Sequence, residues 1–190
     1  MKKVFYFVLS AVFAASGVSA AEKVLAKESF NKKYQQTFNV SKSKDYQAEL
    51  VYSATEGNAG PGACGLALTN ELIPGSSIGV YTTSLPLDQT KTYVCTMYIK
   101  PDKKTASGSF SLTIRPRDEK KGWLWNGKPW IQKISLASLP ADKWTKVELQ
   151  FQSRKDDKFW QKARYFTAIY NVRNAAGITL YFDDLEIVEK

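Results

Sequence analysis

Two adjacent carboxylates, Asp183 and Asp184, stand where an apolar alternation changes phase. Ile178, Leu180 and Phe182 share one parity, and Leu185 and Ile187 share the other. One extra residue at this point, a β-bulge, would keep both sets on the same face of a strand. It would also free backbone carbonyls beside two carboxylates, the all-oxygen surroundings that a hard cation such as Ca²⁺ takes. The plainer alternative is an acidic pair at a strand edge, solvated or held by nearby backbone N–H groups.

The other chemistry on offer is narrower. Asp118-Glu119 and Asp156-Asp157 are acidic neighbours. Adjacent residues of a strand point to opposite faces, so neither pair makes a good general acid and base couple. The chain has no histidine. Ser-His-Asp and Cys-His nucleophile systems are therefore excluded, as are His-based catalytic zinc sites. Glycoside hydrolysis needs only two carboxylates, so enzymes of that class stay open. The balance of residue types favours binding over catalysis. Cys64 and Cys95 are the only cysteines, which rules out clustered redox motifs.

The elements that must position these residues are strands. Residues 1–20 read as a cleaved secretory signal peptide: Lys2-Lys3, an apolar run from Val4 to Ala15, then Gly17-Val18-Ser19-Ala20. The expected location is secreted or periplasmic. Residues 21–190 then form one domain, whose charge falls from +9 to +7 with Lys2 and Lys3 removed. Apolar alternation with period two marks Tyr46–Tyr52, Cys64–Leu68, Ile78–Thr83, Tyr93–Ile99, Phe110–Ile114, Val147–Phe151, Tyr165–Val172 and Ile178–Val188. Turn clusters separate them, among them Glu56-Gly57-Asn58-Ala59-Gly60-Pro61-Gly62 and Asn174-Ala175-Ala176-Gly177. No helix-period segment of useful length follows residue 21. The expected fold is all-β, an antiparallel β-sandwich of two sheets, each with one apolar face.

Cys64 and Cys95 both lie on apolar faces of their strands. Two buried thiols and an inter-sheet disulfide fit that parity equally. An oxidising compartment tips the expectation towards the disulfide.

Four stretches in this order resemble a carbohydrate-binding module of the family 4/9/16/22 type, with a galactose-binding-like jelly roll. They are Gly62–Leu68 after a Gly-rich loop, Leu87–Lys100 (LDQTKTYVCTMYIK), Trp144–Phe151 (WTKVELQF) and Ile178–Ile187 (ITLYFDDLEI). The similarity spans most of residues 27–188. It implies a jelly roll and binding of a polysaccharide or oligosaccharide without bond cleavage. It also implies a structural Ca²⁺ at Asp184 and, less directly, Asp183. The family's early acidic ligand has no clean match here: Glu28 precedes Phe30 with one residue between, and Glu56 in the Gly-rich loop is a substitute.

A sugar-binding surface sets aromatic rings beside polar groups, because sugar rings carry apolar C–H faces ringed by hydroxyls. Trp123, Trp125 and Trp130 fall within eight residues, interrupted by Gly and Pro. In an extended segment Trp123 and Trp125 share a face. Tyr98, Thr113 and Arg115 lie on the outward parity of their strands, and Arg117 continues it beyond Pro116. If the two strands are neighbours, these residues floor an aromatic and cationic groove. Trp144 reads as structural, and Trp160 as a rim contact in a loop. The expected carbohydrate site is thus Trp123, Trp125, Trp130, Tyr98, Arg115 and Arg117. The alternatives are a jelly-roll glycoside hydrolase or polysaccharide lyase, and a surface adhesion domain with a protein partner. No nucleic-acid motif and no second membrane segment is present, and a monomer is expected.

Overall fold

The computed structural model describes residues 22–30, 38–42, 48–68 and 77–190. The proposed signal peptide lies outside them. The strands are β1 (Lys23–Glu28), β2 (Phe38–Lys42), β3 (Ala48–Ser53), β4 (Ala63–Leu68), β5 (Ser77–Thr82), β6 (Leu85–Pro86), β7 (Thr92–Pro101), β8 (Ser109–Arg117), β9 (Trp130–Ser135), β10 (Thr145–Gln152), β11 (Tyr165–Arg173) and β12 (Thr179–Glu189). Among the described residues a one-turn 3-10 helix (Leu136–Ser138) and the short α-helix α1 (Lys158–Lys162) interrupt them.

Two antiparallel sheets result. The first runs β10-β7-β12-β4-β3, with β1 also on β12. The second runs β2-β5-β11-β8-β9, with β6 also on β11. The period-two alternation dictates what lies between them. Tyr93, Cys95, Met97 and Ile99 of β7 and Val147, Leu149 and Phe151 of β10 face inward from the first sheet. Phe110, Leu112 and Ile114 of β8 and Phe166, Ala168, Tyr170 and Val172 of β11 face inward from the second. Tyr93, Phe151 and Phe166 meet across the core at centroid distances of 5.0 to 5.2 Å. Aromatic contacts at such distances add to the apolar burial that dominates the stability of a sandwich.

The phase change in β12 is the bulge that the sequence implies. Its register against β7 slips between Asp183 and Glu186, and Asp184 takes a φ of 48°. Leu180, Phe182, Leu185 and Ile187 are all buried as a result. At the same point β12 changes partners along one edge. Thr179–Phe182 pair with β4, and Leu185–Glu189 pair with β1.

Two expectations are corrected here. Cys64 and Cys95 are free thiols on strands of the same sheet. Cys64 pairs with Phe182 and Cys95 with Ile187, on opposite edges of β12. Two strand spacings across and about four residues along put their Cα atoms about 17 Å apart, far beyond disulfide reach. Trp160 is no rim residue. Asp157 caps α1 by accepting from the N–H groups of Phe159 and Trp160, which turns the Trp160 ring into the core at 0% exposure. Its indole N–H donates to the Lys128 carbonyl at 2.7 Å.

Candidate functional site

The outward parity of the second sheet builds a groove of about 640 Å³. Register alone orders its floor into rows. Arg173 of β11 stands beside Ser77 of β5 and Ser109 of β8. One row on, Asn171 stands between Gly79 and Ser111, and Ser111 pairs with Lys133 of β9. The next row is Tyr81, Ile169, Thr113 and Ile131. Arg115 follows opposite Thr167, and Arg117 opposite Tyr165. A Cβ on Gly79 would approach Asn171 Oδ1 to 3.1 Å, so glycine keeps that row low and the amide accessible.

One end of the floor is walled by the loop after β8. Asp118 Oδ1 accepts from the N–H groups of Lys120 and Gly122 at 2.9 and 2.7 Å, folding the chain back on itself. Lys121 completes this turn at a φ of 62°. A bridge between Arg117 and Trp123 and the Leu124 N–H to Pro116 carbonyl bond then tie the returning segment to β8. Leu124 packs against the core, so its neighbours Trp123 and Trp125 both turn outward.

These rings form a continuous stack. The Arg117 guanidinium lies 3.4 Å from the Trp123 ring centre. Trp123 and Trp125 are stacked with centroids 4.7 Å apart, and Tyr81 meets Trp123 edge-on at 6.3 Å. Arg117 is itself fixed by bonds from its Nε to Thr167 Oγ1 at 2.6 Å and from an Nη to the Lys121 carbonyl at 2.7 Å. Arg115 donates to the Trp125 carbonyl at 3.2 Å and lies 5.1 Å from the ring centre. Trp125 remains 59% exposed. Trp123 therefore serves as its support, and Trp125 as the open platform. Partial burial pulls the guanidinium pKa of Arg115 below its ordinary value. It does the same for Arg117, against the opposing pull of Tyr81 and Asp118.

Four of the six expected site residues come together: Trp123, Trp125 and Arg115 line the groove, and Arg117 stacks beneath Trp123. The other two do not join them. Tyr98 belongs to β7, in the other sheet from Arg115, so the strands expected to be neighbours are on opposite sides of the core. Tyr98 instead lines a cavity of about 430 Å³ with Thr96, Lys146, Glu148 and Asp184. Trp130 pairs with Ile114, an inward residue, and so packs against the core. Its indole N–H donates to the Gln152 carbonyl at 3.0 Å, and the Arg154 guanidinium covers its ring at 3.9 Å.

Tyr81, Lys133, Asn171 and Arg173 were not singled out by sequence reasoning. Asn171 and Arg173 alternate with the inward residues of β11, so their outward direction was legible. Their adjacency to β8 was not, because alternation gives a face and no neighbour.

At the β12 bulge, Glu28, Asp183 and Asp184 come near one another. Asp183 is 1% exposed and accepts from the backbone N–H groups of Asn58 and Asp184 at 2.7 and 2.8 Å. Asp184 accepts from the Asn58 side chain at 2.8 Å, and Glu28 from the Phe30 N–H at 3.0 Å. Burial pushes the Asp183 carboxyl above its ordinary pKa, and the charges of Asp184 and Glu28 push the same way against the two N–H donors. Glu56 is drawn off by an ion pair with Lys100, whose ammonium also lies over Trp144 and Tyr181. Among the described residues, no three Asp, Glu or Cys side chains are arranged as a metal-ligand group.

No family model and no curated protein matches the chain. Solved structures do. The CBM22-1 xylan-binding domain from Paenibacillus barcinonensis matches with a TM-score of 0.55 at 13% identity, over 89% of this chain and 96% of that one. The CBM22-1–GH10 modules of an endo-1,4-β-D-xylanase from Clostridium thermocellum, complexed with xylohexaose, match at 0.56 and 16% identity. There the similarity covers 88% of this chain and 28% of the longer one. A cyclase from Fischerella sp. matches at 0.59 and 10% identity, over 90% and 98%. The jelly-roll sandwich implied by the resemblance is thus the fold of this chain, a fold it shares with carbohydrate-binding modules and with at least one enzyme.

Proposed function

We propose that the chain is an exported, non-catalytic carbohydrate-binding module that holds a polysaccharide or oligosaccharide in the groove of its second sheet. The observation that carries this reading is the Trp125 ring, supported from behind and open in front, at the end of a polar floor. A sugar ring laid on Trp125 would exchange the water on its apolar face for the indole, and its hydroxyls would meet Thr113, Ser111 and Asn171 along the rows. The ring stack and the hydrogen bonds of Arg117 hold the platform before ligand arrives, which lowers the ordering cost of binding. The resemblance in four ordered segments and the shared fold of xylan-binding domains support the same ligand class.

The groove's composition argues against hydrolysis. Among the described residues, its lining holds no carboxylate, cysteine or histidine. Of the four acids set aside as catalytic candidates, Asp157 is committed to capping α1 and Asp118 to its turn. We further propose, on the resemblance, that a structural Ca²⁺ is held at the bulge by Asp184 and Asp183 with backbone carbonyls. The buried Asp183 carboxyl beside Asp184 supports it, while Glu28 does not complete a three-carboxylate ligand group with them. The ion would brace the bulge of β12 and take no part in binding sugar.

Affinity electrophoresis through gels containing soluble polysaccharides tests the main reading. Retardation by at least one polymer, abolished in Trp125→Ala, is expected. No retardation by any polymer, or the release of reducing ends from one of them, would overturn it.

A further inference from the structure

We infer that the ligand of this groove is an anionic glycan, one bearing carboxylates or sulfates on its sugar rings; the inference rests on the sugar-binding reading above. The groove carries three cations, Arg115, Lys133 and Arg173, and among the described residues no acid lines it. The chain as a whole has 27 basic and 18 acidic residues, so an all-cationic lining is not the average of its surface. Some exposed lysines elsewhere are paired with acids: Lys27 with Glu186 at 3.1 Å, Lys146 with Glu148 at 2.7 Å and Lys190 with Glu22 at 3.3 Å. None of the groove cations takes part in an ion pair with an acid among the described residues.

Their placement follows the floor. Arg173 and Arg115 are six residues apart in register, about 20 Å along the strands. Lys133 stands one row from Arg173 and two strands over, about 12 Å away. The cations therefore bracket a length that holds several linked rings, with the Trp125 platform at the Arg115 end. A neutral glycan would leave three like charges uncompensated in one concavity. A polymer with repeated acid groups would satisfy them, with the guanidinium forks suited to two-point contact with carboxylate or sulfate. Arg115 also positions the Trp loop through the Trp125 carbonyl. Arg173 and Lys133 are exposed and, among the described residues, hold no hydrogen bond of that kind, so they isolate the electrostatic contribution.

The test is affinity electrophoresis at 0.15 M salt on three sets of polymers. Polygalacturonate, alginate and glucuronoxylan carry carboxylates, dextran sulfate and carrageenan carry sulfates, and galactan, mannan, laminarin and dextran are neutral. The expected result is retention by an acidic polymer at least tenfold stronger than by its carboxyl-reduced or desulfated form. Arg173→Gln/Lys133→Gln should cut that retention about tenfold or more, as loss of charged hydrogen bonds does. Which acidic set retains the protein separates carboxylate from sulfate. Equal or stronger retention by neutral polymers would overturn the inference and leave the sugar-binding reading intact. Acidic retention unchanged in the double variant would also overturn it, by assigning the effect to general surface charge. Retention by nothing would remove both readings together.

Discussion

Replacing Trp125 with alanine removes the platform and little else. The ring is 59% exposed and stacks on Trp123 from outside the core. A sugar laid on its open face covers roughly 70 Å² of apolar surface, about a third of what a buried aromatic contributes. At about 25 cal/mol per Å² that is about 1.8 kcal/mol, a loss of roughly 20-fold in affinity. The fold should not notice, since exposed substitutions stay within about 0.5 kcal/mol. Trp130→Ala is the matched opposite. Its ring packs on the core, is covered by Arg154 and donates to Gln152. Its loss should cost about 2 to 3 kcal/mol and lower Tm by roughly 4–12 °C, with affinity little changed. Titration calorimetry with the best-retained oligosaccharide, beside thermal melts, gives both quantities for both variants. Equal affinity in Trp125→Ala and wild type, or loss of affinity in Trp130→Ala without a fall in Tm, would refute the assignment of the two rings.

Tyr98→Ala should bind as wild type does, because its ring lies on the other sheet; a tenfold loss in the same titration would move the site there. Burial pushes the Cys64 and Cys95 thiols up to about 12, so neither should be alkylated in the folded protein at pH 8, and both should react in denaturant. Intact mass after non-reducing alkylation reads this directly, and a disulfide would contradict the register of β12. Adding Ca²⁺ to chelated protein should raise Tm, and Asp183→Asn should abolish the rise; an unchanged melt in wild type counts against the bulge site. Burial tends to raise the Asp157 carboxyl, but N–H donors from Lys128, Phe159 and Trp160 outweigh it and leave its pKa lowered. Its stabilisation is therefore complete above the unfolded value near 3.9 and is lost as pH falls through the lower folded value. Asp157→Asn keeps the cap through Oδ1 but sets its amide NH₂ against the Lys128 N–H, so it should flatten that acid limb in a series of melts below pH 5 at a cost of about 1 kcal/mol near neutral pH.

What the sequence disclosed and what it withheld divide along one physical line. Side-chain parity is local, so the inward sets of β7, β8, β10 and β11 and the bulge at Asp183-Asp184 were all legible. So was the outward direction of Trp123, Trp125, Arg115 and Arg117. Partnership between strands is not local. Tyr98 was grouped with Arg115 because both point outward, although β7 and β8 lie on opposite sides of the core. The same gap joined Cys64 to Cys95 in expectation, and it hid Asn171, Arg173 and Lys133, whose rows depend on register. The edge strand β9 was missed for another reason. In β9 only Trp130 and Ile134 are partly buried, too weak an alternation to stand out beside the Trp cluster. Trp160 was misplaced because five residues carry no helical period, and only the Asp157 cap explains why they turn.

The central claim is that ligand lies on the second sheet against Trp125. A ¹⁵N-labelled protein titrated with the best-retained oligosaccharide tests it most directly. The account predicts progressive shifts of the Trp123 and Trp125 indole N–H signals and of the backbone amides of Gly79, Ser111, Asn171 and Arg173. Tyr98, Thr96 and Glu186 should stay still. Shifts confined to that opposite face, with the two indole signals unmoved at saturation, would contradict it.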